Sequence, residues 1–116
     1  MFRFLAVLIV PAFVALPVVA QDKGYASFIA KAKGALTKDF KDPEGSRYRN
    51  LGVYRSLDKS LALCGEVNAK NSYGAYVGYK QFYADDKNGT IKEEGDELLF
   101  NTLGKAYCDK KLADAK

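Results

Sequence analysis

Apolar residues recur at Tyr25, Phe28, Ile29, Ala32, Leu36 and Phe40. Those spacings, i, i+3, i+4, i+7, i+11 and i+15, line one stripe of an α-helix. Lys31, Lys33, Lys38 and Asp39 fall mostly on the other side, and Gly34 weakens the helix without ending it. Asp42-Pro43 stops it, because the residue before a proline avoids the α region. The pattern predicts a helix over 25–40 and a linker over 42–50.

From Leu51 the period changes from that of a helix to that of strands. Leu51–Ser56 reads as a short strand, Asp58-Lys59 as a turn, and Ser60–Asn68 as a second strand. The unbroken apolar run Leu61–Cys64 is that of a central strand, buried on both faces. Asn68–Gly74 is rich in residues that accept turn geometry. A third strand over 75–84 alternates Tyr76, Gly78, Lys80 and Phe82 with Val77, Tyr79, Gln81 and Tyr83. Asp85–Gly89 predicts a hairpin return into Thr90-Ile91-Lys92. Glu97–Leu112 reads as a helix with Leu99, Leu103, Ala106 and Tyr107 on one side. The fold class is α+β: an antiparallel meander of three to four strands flanked by an N-terminal and a C-terminal helix.

The first twenty residues follow a different rule. Arg3 precedes an apolar run from Phe4 that closes on Val18-Val19-Ala20, the layout of a cleavable secretory leader. As a membrane span the run is short, and Pro11 and Pro17 interrupt it. The expected organisation is a leader over 1–20 and one small domain over 21–116, secreted, or periplasmic in a Gram-negative cell, with no stable membrane anchor after cleavage. Export places Cys64 and Cys108, the chain's two cysteines, where a disulfide forms. With no histidine in the chain, a metal site is a poor alternative for them, and no metal or cofactor is expected.

The formal charge of +4 falls to +3 without Arg3. Its lysines are interleaved with acids along the whole chain, whereas nucleic-acid binders concentrate basic residues on one face; nucleic acid is not expected as a partner. Arginine is distributed differently from lysine. Beyond Arg3, all of it lies at Arg47, Arg49 and Arg55, and its planar fork suits a carboxylate or phosphate better than lysine's point charge. Internal pairing with Asp42, Glu44 or Glu66 is the competing use.

The runs Asp42-Pro43-Glu44-Gly45-Ser46-Arg47-Tyr48-Arg49-Asn50 and Cys64-Gly65-Glu66-Val67-Asn68-Ala69-Lys70-Asn71-Ser72-Tyr73-Gly74-Ala75-Tyr76-Val77-Gly78-Tyr79, with a late cysteine, resemble a family of small exported proteobacterial proteins of unknown function. Gly74-Ala75 stands where that pattern has Gly-Gly. The resemblance implies compartment and fold more than mechanism.

Catalysis is not expected, since no histidine can serve as a base and the cysteines are assigned to a disulfide. The sequence predicts instead a binding protein for an envelope ligand or protein partner. Its candidate ligand-binding residues are Arg47, Arg49, Glu66, Asn68, Lys70, Asn71, Tyr76 and Tyr79, facing an anionic small molecule or envelope component. The alternative is a protein-interaction or inhibitor module that works through a tyrosine-rich sheet face.

Overall fold

A computed structural model describes residues 24–115; the expected leader lies outside them. Helix α1 (Ala26–Thr37) is followed by strands β1 (Arg47–Arg55), β2 (Leu61–Lys70), β3 (Tyr76–Ala84) and β4 (Gly89–Ile91), helix α2 (Glu97–Tyr107) and strand β5 (Lys110–Asp114). They form one sheet in the order β4-β3-β2-β1-β5, with every neighbouring pair antiparallel. The α+β meander flanked by two helices is therefore present, with β2 at its centre, and Cys64 and Cys108 form the disulfide.

The sheet has five strands rather than three or four, because the chain beyond Tyr107 does not continue as helix. Cys108 caps α2, and Lys110–Asp114 turns back to pair with Gly52–Arg55 along the outer edge of β1. The alternation that identifies a strand is hard to see there, since Lys110, Lys111 and Asp114 are exposed and only Leu112 and Ala113 are half-buried. Strand β1 also starts earlier than the sequence predicts. Arg47 and Arg49 belong to it and not to a linker, and β2 runs past Asn68, the expected end of the second strand, to include Lys70 from the expected turn.

Each face of the sheet carries its own helix. On one face Leu51, Val53, Leu63, Val67, Phe82 and Ala84 meet Ala32 and Leu36 of α1, with Tyr25, Phe28, Ile29 and Phe40 packed around them, the stripe read from the sequence. On the other face Ala62, Cys64 and Tyr83 meet Phe100 of α2. Leu63 and Val53 lose all contact with water, which stabilises the fold by about 1.5–3 kcal/mol each.

Helix α2 is rotated relative to the expected stripe. Phe100, Gly104, Tyr107 and Cys108 face the sheet. The Tyr83 ring stacks on Tyr107 at 4.7 Å and tilts against Phe100 at 5.1 Å. Leu99 and Leu103 are 62% and 40% exposed, so they do not build the core. Gly104 explains the difference: it hides the i, i+4, i+7 stripe by supplying no apolar side chain at its middle, although an added Cβ would meet the Tyr83 ring at an ordinary contact distance of 3.8 Å.

Candidate functional site

Helix α2 covers only the half of its sheet face that holds Ala62, Cys64 and Tyr83. The other half stays open, and the candidate residues gather there. Arg47 pairs with Asn68 and Arg49 with Glu66 between β1 and β2, while Asn68 pairs with Tyr79 and Lys70 with Tyr76 between β2 and β3. Residues two apart on a strand share a face. Arg47, Arg49, Glu66, Asn68 and Lys70 therefore stand on one side with Tyr76 and Tyr79.

Simple alternation puts Tyr76 and Tyr79 on opposite faces, and a β-bulge changes that. Between the pairs Asn68–Tyr79 and Lys70–Tyr76, one residue of β2, Ala69, opposes two of β3, Val77 and Gly78, and the extra residue returns Tyr76 to the side of Tyr79. Gly78 takes up the distortion with a φ of +104°, a conformation that costs a side-chain-bearing residue strain. Its N–H donates to Oδ1 of Asn68 at 2.9 Å. Asn68 thus shapes the site by holding the bulge.

Each arginine reaches across β2 onto a tyrosine. The guanidinium of Arg47 lies 4.1 Å from the Tyr76 ring centroid, and that of Arg49 lies 4.0 Å from the Tyr79 ring centroid. A guanidinium that meets a ring with its flat face keeps its in-plane N–H groups for an anion. The two arginines differ in what those groups meet. Arg49 donates through Nε to the half-buried carboxylate of Glu66, which Asn50 Nδ2 also approaches at 3.4 Å. No carboxylate pairs with Arg47 among the described residues.

The remaining candidates are more committed. Lys70 pairs with Asp42 at 3.5 Å and sits 5.4 Å from the Tyr76 ring. The Tyr76 hydroxyl donates to the Gly45 carbonyl at 2.8 Å, tying the α1–β1 connection to the sheet. Asn71 builds the β2–β3 turn, its side-chain oxygen accepting from Tyr73 N–H at 2.9 Å and Ala75 N–H at 3.1 Å. Arg55, away from this group, donates to the Lys59 carbonyl at 3.0 Å.

Two depressions border the open face. A cleft of about 530 Å³ runs between the sheet and α2, with Asn50, Glu66, Gln81, Asn101 and Lys105 as polar lining over Tyr83, Phe100 and the disulfide. Its volume falls within the usual range for small-molecule sites, roughly 300–1,000 Å³. The sequence reading missed Asn50, Gln81, Asn101 and Lys105. Asn101 and Lys105 follow from the rotation of α2, and Asn50 from a second bulge, where it adopts a φ of +53°. A groove of about 570 Å³ on the other side of Tyr79 is lined by Glu93, Glu94 and Glu97 together with Lys80 and Lys92. On the opposite face of the sheet, burial lowers the pKa of Lys33 and raises that of Tyr48, over whose ring the Lys33 ammonium lies at 4.7 Å.

No group of three or more potential ligands is arranged to hold a metal among the described residues. No helix among them is long and apolar enough to cross a membrane. Fold and site together define a small, disulfide-bonded α+β domain that presents stacked arginines on an open sheet face. No family model, curated protein or solved structure matches the chain.

Proposed function

We propose that this is an exported binding protein whose open sheet face receives the anionic group of a small molecule or envelope component. Arg47 carries the reading: a guanidinium stacked on Tyr76, exposed, with no carboxylate on its N–H fork among the described residues. Stacking orients the fork before a ligand arrives, which reduces the ordering cost of binding. The disulfide fits an oxidising compartment, and the leader-like residues 1–20 together with the resemblance to small exported proteins support export.

The test is an NMR titration of the oxidised mature protein with inorganic phosphate and with citrate. Saturable shifts at Arg47, Asn68 and Tyr76, lost in a folded Arg47→Ala variant, support the reading. Absence of saturable shifts with both anions overturns it.

A second reading, a module that docks a protein, rests on α2. Leu98, Leu99 and Leu103 are exposed on that helix, and Leu57 in the β1–β2 turn is exposed as well. The tyrosine-rich sheet face suits this role less, because guanidinium groups cover Tyr76 and Tyr79 and α2 covers Tyr83. Capture of an envelope protein by the wild type and by Arg47→Ala, lost in Leu99→Ser/Leu103→Ser, favours this second reading.

A further inference from the structure

We infer that the open face is a clamp for a small dianion whose two negative groups stand about 7 Å apart; this rests on the anion-binding reading above and names the ligand's chemistry. Arg47 and Arg49 are same-face neighbours on β1, in unbroken register with Asn68 and Glu66, a separation of about 6.5–7 Å along a strand. Their platforms repeat at the same interval. Tyr76 and Tyr79 are three residues apart in sequence, but the bulge places them opposite Lys70 and Asn68, one same-face step along β2. Each guanidinium is thus held at both ends, by its own strand and by its ring, at one common spacing.

The two forks are not equally free. Arg49 already holds an internal carboxylate, Glu66, through Nε. A monoanion therefore finds Arg47 alone, whereas a dianion of matching length also reaches Arg49 in competition with Glu66. Lys70 adds little to the choice, being paired with Asp42. The groove beside Tyr79 mixes Glu93, Glu94 and Glu97 with Lys80 and Lys92, and Lys80 is paired with Glu93, so it offers no run of unpaired cations to a polyanion extending past β3. These features favour a compact dianion over a long anionic polymer.

The experiment is an NMR titration of the oxidised mature protein with acetate, with the straight-chain dicarboxylates from malonate to pimelate, and with bisphosphonates of the same spacer lengths. The clamp predicts an affinity maximum at one spacer length, about tenfold or more above acetate. Whichever series binds more tightly at that length identifies the ligand groups as carboxylate or phosphate-like. Arg49→Ala lowers the affinity for the best dianion about tenfold and abolishes the preference for that spacer length, so the dianion loses more than acetate does. Glu66→Gln tightens the best dianion several-fold by freeing the Arg49 fork. Both exchanged side chains are solvent-accessible, and an unchanged melting temperature verifies each fold. Arg47-dependent binding with no length preference, unaltered by Arg49→Ala, overturns the clamp and leaves the anion-binding reading standing. No saturable binding of any of these anions overturns both.

Discussion

Arg47 and Tyr76 sit on strands separated by β2, yet the guanidinium lies over the ring at 4.1 Å while the same tyrosine's hydroxyl donates to Gly45 two residues before Arg47. The ring thus contacts the arginine and also anchors the loop that delivers it. The two roles separate by substitution. Tyr76→Phe loses the hydroxyl's bond, costs about 1 kcal/mol, and keeps the stacking surface and anion binding. Tyr76→Ala loses both and weakens anion binding as well as stability. Urea unfolding together with a phosphate titration of the two variants distinguishes these outcomes.

Cys64 and Cys108 are 44 residues apart and join the central strand to the end of α2. Closing a loop of that length stabilises a fold by about 4 kcal/mol on the chain-entropy model. The Cys64→Ala/Cys108→Ala variant is expected to lose most of that. It is also expected to loosen α2 first, since Phe100 is the only buried residue within the helix. Amide hydrogen exchange along α2, compared with exchange along β2, measures the order of loosening.

The β1–β2 turn contains a pH-sensitive element. Asp58 accepts hydrogen bonds from the Ser56 hydroxyl and from the Ser60 hydroxyl and N–H, at 2.6 and 2.9 Å for the last two. The Ser56 hydroxyl first, and the Ser60 groups next, hold its pKa at about 2, down from 3.8. A depressed carboxylate pKa adds stability that is fully present above the unfolded value and is lost as pH falls through the folded one. Wild-type stability therefore declines between pH about 4 and about 2. Asp58→Asn is expected to show a shallower decline over the same window in urea unfolding at stepped pH.

Gly65 lies against the bulge in β1, where an added Cβ would stand 3.1 Å from the Asn50 carbonyl oxygen and Leu51 Cα, and 3.2 Å from the Arg49 carbonyl oxygen. All three neighbours are backbone, so none can move aside alone. Gly65→Ala is expected to cost about 1–3 kcal/mol and to displace Arg49 from Glu66. Thermal unfolding and the chemical shift of Arg49 Nε–H follow the two effects.

The sequence was most legible where one rule governs each position. The α1 stripe is visible because each inward position carries an apolar side chain, and β2 is visible because Leu61–Cys64 is apolar throughout. The site residues could be grouped from composition, since arginine clusters where lysine is otherwise general. Their shared face could not be read, because a bulge set by Gly78 and Asn68 breaks the period of two. β5 was hidden by its position: an edge strand with exposed lysines carries little alternation. The stripe of α2 was hidden by a glycine at its centre.

The pairing of Gly52 with Asp114 fixes the order in which the molecule can be completed. β1 through β4 are successive hairpins, which zip from contacts close in sequence. The strand that seals the outer edge of β1 comes after α2 and Cys108. A chain emerging N-terminus first from a ribosome or a translocation channel can assemble its central ladder early, but its β1 edge stays uncapped until the last strand arrives. That interval, more than the finished fold, is when the chain is most exposed to pairing with other strands.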